Sequence, residues 1–251
     1  MQKNTFIGSA FLLVIVVGIT FYAATKPVPA KAPSEVAALL PAGSYSEHAQ
    51  YYDIVANYAS STPLIEPANT TAITLMQKFV SDTIEQFKTD GNFANLTAAD
   101  IKTLGFDQGR KETLQVTYLI ASSGRTISYI FTTYEDTLGA HGNLFFHTFT
   151  FDRASGAPLT LASIFSSTTY LDTLSSLARA KLPGVIGKDA DMMFIKDGTE
   201  PEEENFENFF FDNAQLVFLF PPYQVGPYSA GPQTLRIPVA ELSSVLKSDY
   251  R

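Results

Sequence analysis

The sequence predicts an α+β fold, an antiparallel sheet meander with helices packed on one face, and three observations predict it. Apolar and polar residues alternate with period two in three successive runs between Thr113 and Phe151. Apolar residues from Ile73 to Phe87 recur at three- and four-residue steps, which places them on one helical face. Strands and helices mix without the regular βαβ alternation of a doubly wound sheet.

The first element in the chain is apolar. After a predicted short cytoplasmic tail of residues 1–5, Phe6 to Ala24 carries no charge over 19 residues. As a helix it would reach about 28 Å, close to the ~30 Å hydrocarbon thickness of a bilayer. It reads as a retained transmembrane anchor or uncleaved signal in preference to a cleaved signal peptide, because Tyr22 stands where a cleavage site wants a small residue. Either reading sends the rest of the chain out of the cytoplasm. Residues 25–43 hold Pro27, Pro29, Pro33 and Pro41 among alanines, a composition that favours an extended stalk.

A smaller N-terminal α+β part is expected over residues 44–107. Aromatic and β-branched residues from Glu47 to Tyr58 predict one strand, stopped near Ser60 to Pro63. The Ile73–Phe87 stripe predicts a helix capped by Asn69 or Thr70 and ended by Gly91. Thr97-x-x-Asp100 matches a capping box and opens a short helix to Leu104, before Gly105.

The larger C-terminal part, residues 108–251, begins with the meander. Leu114, Val116, Tyr118 and Ile120 alternate with polar residues; Ser122-Ser123-Gly124 turns the chain; Ile127, Tyr129 and Phe131 alternate in the next run. After the Gly139 to Gly142 loop, Phe145, His147, Phe149 and Phe151 share a face. A helix is expected from about Ser167 to Leu182, stopped by Pro183-Gly184. Asp189 to Asp212 holds nine acids against Lys196. Strands Ala214 to Phe220 and Thr234 to Val239 flank a Pro- and Tyr-rich loop, and a short helix to Lys247 ends the chain.

Composition narrows the function. The chain of 251 residues has a formal net charge of −8, and its folded part is more acidic still because Lys3, Lys26 and Lys31 fall outside it. A protein that binds nucleic acid through clustered Lys and Arg is excluded. With no cysteine, the chain has no disulfides, no thiol nucleophile, no cysteine-ligated zinc and no lipid anchor on an N-terminal cysteine.

Catalytic signals are sparse. There is no GxSxG, GxGxxG or phosphate loop, and the spacing of His48, His141 and His147 matches no zinc motif. No metal or cofactor is expected. His147 reads as a structural residue on an aromatic strand face, and Asp152 as the side chain of an Asx-type turn rather than a general base. His141, between glycines and followed by Asn143, shapes a turn and is the one histidine given a ligand role. Asn69-Thr70-Thr71 and Asn95-Leu96-Thr97 match the glycosylation sequon. Phe206, Phe209, Phe210 and Phe211, interleaved with acids, either anchor a partner or start a core strand. Glu202, Glu203 and Glu204 read as a solvated face or as a negative field that steers a cationic partner.

Three segments carry a family resemblance: Ala140-His141-Gly142-Asn143 before an aromatic strand, Phe151-Asp152 with Gly156 and Leu159-Thr160-Leu161, and the loop Pro222 to Gly231. Together they resemble the C-terminal ectodomain of RsiV-type proteins, over about Leu114 to Lys247. That family includes membrane-anchored anti-sigma factors that bind lysozyme, and the same domain pair resembles the non-catalytic N-terminal part of a peptidoglycan deacetylase. No sigma-binding segment is recognised before the anchor and no deacetylase domain after the ectodomain.

The resemblance implies an extracytoplasmic, single-pass binding module of the cell envelope that takes peptidoglycan or a cationic partner such as lysozyme and performs no chemistry. The expected contact residues are His141, Asn143, Tyr223 and Tyr228, fringed by Glu202, Glu203 and Glu204. The alternatives are a carboxylate-dependent cell-wall glycan hydrolase and a structural partner of another membrane protein.

Overall fold

The computed structural model describes residues 42–251. The predicted tail and membrane segment, and the stalk up to residue 41, lie outside the described residues, while residues 42 and 43 of the stalk open the first strand. Among the described residues no helix is long and apolar enough to cross a membrane.

Five strands form the first sheet, in the order β1 (Ala42–His48), β2 (Tyr52–Ala59), β3 (Glu112–Ser122), β4 (Thr126–Asp136) and β5 (Asn143–Asp152). The single strand expected over Glu47 to Tyr58 is instead a hairpin. The Ala49 amide donates to the Tyr52 carbonyl at 2.9 Å, and this turn folds β1 back on β2 with Glu47 opposite Ile54. The apolar density of Tyr51, Tyr52, Ile54 and Val55 hid the break, because the turn contains neither Gly nor Pro.

β2 runs parallel to β3, Ile54 facing Leu114, and a parallel pair needs a crossover. Residues 60–111 supply it with helices α1 (Ala68–Gly91) and α2 (Ala98–Leu104). Ala72, Met76, Val80 and Phe87 of α1 are buried against Ile54, Ala56, Leu114, Val116, Tyr129, Phe131 and Phe151 of the sheet, forming the first core. Each fully buried large side chain there contributes about 2 kcal/mol. Asn69 and Thr70 do not cap α1, which starts at Ala68. Asn69 Oδ1 instead accepts from the Thr62 amide (2.7 Å) and hydroxyl (3.0 Å), and Thr70 Oγ1 donates to Glu66 (2.8 Å), so both fasten the preceding loop. Asn92, at φ 44°, rather than Gly91, takes the left-handed position that ends the helix. The Thr97–Asp100 capping box of α2 is formed as expected, with Gly105 at φ 74° closing the helix.

The meander of β3, β4 and β5 is antiparallel, with Tyr118, Phe131 and His147 in register. Beyond it, α3 (Leu161–Ile164), α4 (Tyr170–Ile186) and α5 (Met192–Asp197) precede a second, three-stranded sheet of β6 (Phe209–Asp212), β7 (Gln215–Phe220) and β8 (Gln233–Pro238). Helix α4 runs through Pro183 and ends at Gly187. Proline removes one intrahelical hydrogen bond, and the burial of Leu182 before it and packing of Ile186 after it hold the turn.

Phe209, Phe211, Leu216, Phe218, Leu235 and Ile237 share one face of the second sheet and pack with Leu174, Ala178 and Leu182 of α4 in a second core. Phe210 and Val217 alternate onto the opposite face, both wholly buried. There β6 lies against β3, β4 and β5. The Thr150 hydroxyl donates to the Phe209 carbonyl at 3.0 Å and the Thr148 hydroxyl to the Glu207 carbonyl at 3.4 Å. Phe206 and the three phenylalanines of β6 are therefore core residues, not anchors for a partner. The expected helix at the end of the chain is a 3-10 turn, Val239–Leu242, followed by a bridge between Phe165 and Leu246.

Candidate ligand-binding surface

The β4–β5 loop and the β7–β8 loop meet. In the first, Asp136 Oδ1 accepts from the Leu138 amide at 2.8 Å, which lets Leu138 take φ 63°. Gly142 then passes close over Tyr134, where a Cβ would lie 2.5 Å from the ring. This close passage sets the direction of His141. Its Nδ1 lies 3.1 Å from the Gly142 carbonyl, which can only accept, so Nδ1 carries the proton and Nε2 accepts from the Tyr223 hydroxyl at 3.1 Å. The imidazole stacks on Tyr228, centroids 3.6 Å apart at 16°, and the Tyr228 hydroxyl donates to the Gly142 carbonyl at 2.8 Å.

The second loop is built to hold Tyr223 outward. Pro221-Pro222-Tyr223-Gln224 closes a turn through Gln224 N to Pro221 O at 3.2 Å, with Tyr223 at φ 72° in the position usually given to glycine. The next two residues are fastened inward. Val225 is buried in the second core, and Gln224 Nε2 donates to the carbonyls of Gly198 (3.1 Å) and Asn205 (3.0 Å). Tyr223 remains 51% exposed.

Three of the expected contact residues, His141, Tyr223 and Tyr228, thus form one aromatic cluster. Asn143 opens β5 opposite Glu135, on the face that carries Leu114. Glu202, Glu203 and Glu204 are exposed in the turn that carries Asn205, and Glu203 accepts from the Tyr170 hydroxyl. They flank the segment that holds Gln224.

His147 stacks on Phe79 at 4.5 Å and 16°, and burial lowers its pKa, so it is a neutral member of the aromatic face. Burial pushes the Asp152 carboxyl up, but the Ser155 amide and the Arg125 guanidinium (Nε, 2.5 Å) outweigh it and hold the pKa at about 2. With Ala154 N and Ser155 N on Oδ1, Asp152 is the Asx-type turn residue that its position suggests. Among the described residues no group of three or more His, Cys, Asp or Glu could hold a metal ion.

Sequence reasoning missed one feature. A cleft of about 380 Å³ opens between the C-terminal half of α1 and the ends of β4 and β5, lined by Phe79, Asp90, Glu135, Phe145 and His147 among others. Burial, then the charge of Asp90, raises the pKa of Glu135. Glu112, one strand away, is 5% exposed; burial, then Glu135 and Asp136, raise it to about 7. No local signal links Asp90 to Glu135, since only docking of α1 brings them into one cleft. A larger cleft of about 620 Å³ between α1 and the β1–β2 hairpin contains Lys88, whose charge is matched by Glu47.

Comparison with known proteins agrees with this architecture. Residues 162–240 match the family model described as "Protein of unknown function (DUF3298)". The "Peptidoglycan-N-acetylmuramic acid deacetylase PdaC" of Bacillus subtilis (strain 168) is 28% identical over 199 residues, 77% of this chain. The chain spans 40% of that relative's length. A solved member of the DUF3298 family from Bacteroides fragilis NCTC 9343 superposes with a TM-score of 0.59 at 16% identity, covering 84% of this chain and 95% of that one. Another from Pseudomonas aeruginosa PAO1 gives 0.52 at 15% identity, covering 84% and 96%. At these identities the likeness is one of fold. The match over residues 162–240 falls on the second sheet and its helices, and the α+β fold around them is one that these solved structures share.

Proposed function

We propose that this chain is an extracytoplasmic, membrane-anchored binding module of the cell envelope that recognises peptidoglycan or a cationic partner such as lysozyme, without catalysis. The observation that carries the reading is the convergence of His141, Tyr223 and Tyr228 from two loops into one rigid aromatic surface with Tyr223 projecting. Aromatic rings on fixed loops bind sugar faces and protein surfaces at low entropic cost. The similarity to part of a peptidoglycan deacetylase supports a cell-wall ligand, and the RsiV-type motifs support a muramidase partner. Glu202, Glu203 and Glu204 supply the negative fringe that speeds encounter with a cation. Retention of the full-length chain on insoluble peptidoglycan and on immobilised lysozyme, at low and high salt, tests this. Capture that falls tenfold or more in Tyr223→Ala supports the reading, and no retention on either matrix overturns it.

A second reading, glycan hydrolysis by carboxylates, is favoured by one observation: Asp90 and Glu135 line one cleft and Glu135 is shifted upward. Release of new reducing ends from peptidoglycan, lost in Glu135→Gln, would establish it in place of the binding reading.

A further inference from the structure

The cleft between α1 and the β4–β5 ends carries an imbalance that the fold itself does not resolve. Asp90 and Glu135 line it, and neither has an ion-pair partner among the described residues. The Glu135 carboxylate has no hydrogen-bond donor among the described residues, while Asp90 Oδ1 accepts from Gln86 Nε2 at 2.8 Å. Behind the cleft lining stands Glu112, 5% exposed, whose carboxyl has no hydrogen-bond partner among the described residues. Strand alternation settles where Glu112 points. It lies two residues before Leu114 on β3, Leu114 lines the cleft, and Leu114 is in register with Glu135. Glu112 and Glu135 are therefore diagonal neighbours on one sheet face, directed toward the end of α1 that carries Asp90.

Buried carboxyls are ordinarily paired, and an unpaired one costs free energy that a cation would offset. Among the described residues no group of three or more His, Cys, Asp or Glu could hold a metal ion, which favours an organic cation. It must also fit the rest of the wall. Phe145 is 48% exposed beside the acids, and the Phe79–His147 stack forms the floor. A flat apolar platform next to carboxylates matches a pyranose ring with an ammonium substituent: the C–H face lies on the ring and the charge meets the acids. The volume, about 380 Å³, is at the lower end of the range for small-ligand sites and suits one or two sugar rings.

We propose that this cleft is a second binding site, distinct from the aromatic loop surface, and that it takes a hexosamine unit with a free ammonium group. The sugar half of this assignment rests on the cell-wall reading above; the ammonium half rests on Glu135 and Asp90, which line the cleft, with Glu112 behind them. Such a unit arises when the amide bond of an N-acetylhexosamine is cleaved by water, releasing acetate and leaving the amine to take up a proton. An N-deacetylation is thus the class of reaction that must supply the ligand.

Calorimetric titration of the full-length chain with the glucosamine tetramer, its fully N-acetylated counterpart and tetralysine tests the proposal at neutral pH. The glucosamine tetramer is expected to bind at least tenfold more tightly than either of the others. Glu135→Gln is expected to weaken it about tenfold, the loss of one charge-assisted contact. Phe145→Ala, at an exposed position whose truncation leaves both cores intact, is expected to weaken it severalfold. Equal affinity for the two sugar tetramers overturns the ammonium assignment but leaves the aromatic loop reading standing, since peptidoglycan capture through Tyr223 is measured separately. Equal affinity for tetralysine overturns the sugar assignment. Absence of binding by all three removes the site.

Discussion

His141 lies flat on Tyr228, ring centroids 3.6 Å apart and planes 16° apart, while the Tyr228 hydroxyl donates to the carbonyl of the residue after His141. One tyrosine therefore fixes both the ring and the backbone of the opposing loop. Tyr228→Phe removes the hydroxyl contact and keeps the stack, so it is expected to lower stability by about 1 kcal/mol in urea titration with capture nearly unchanged. Tyr228→Ala releases His141 as well, and capture on peptidoglycan or lysozyme is expected to fall several-fold more than in the Phe variant.

Tyr223 occupies a left-handed backbone position, φ 72°, that costs a side-chain-bearing residue about 1 kcal/mol relative to glycine. Tyr223→Gly and Tyr223→Ala both lose the ring and its bond to His141. The Gly variant is expected to be the more stable of the two by about 1 kcal/mol in thermal or urea unfolding, with equal loss of capture.

Glu112 makes stability depend on pH in an unusual direction. Its carboxyl titrates at about 7 in the folded chain against about 4.5 unfolded, because of burial and then Glu135 and Asp136. Between those values the folded state binds the extra proton, so stability is full below pH 4.5 and declines as pH rises through 7. Glu112→Gln is expected to flatten this decline and to raise stability at pH 8 by on the order of 2 kcal/mol. Urea titrations of both chains between pH 5 and 8 check it.

Asp152 acts in the opposite sense. Burial raises its pKa, but the Ser155 amide and Arg125 outweigh this and bring it to about 2, so its contribution is present above pH 4 and lost as pH falls toward 2. Asp152→Asn is expected to cost on the order of 2 kcal/mol at pH 7. The cost should shrink steadily as the pH is lowered from 4 to 2, which acid-unfolding curves of the two chains would show.

The parts legible in the sequence are those fixed by near neighbours. Period two in Leu114 to Ile120 and in Phe145 to Phe151 gives the meander, steps of three and four from Ile73 to Phe87 give α1, and Thr97 with Asp100 gives the α2 cap. His141, Tyr223 and Tyr228 are each visible as loop aromatics, but their contact is not, because two separate sheets must pack before the loops touch. The β1–β2 turn escaped for a local reason, having no Gly or Pro, and the Asp90–Glu135 cleft for a distant one, since docking of α1 creates it.

The parallel ladder between β2 and β3 has a practical consequence for fragment work. Cutting the chain near residue 108 would strip β3 of its neighbour along Glu112 to Val116 and uncover the apolar side of Leu114 and Val116. A bare, greasy border of that kind recruits other chains, so the shortened product should precipitate or assemble into multimers rather than behave as a monomer. Deletions aimed at trimming the protein are better placed ahead of Ala42, where the first ladder begins.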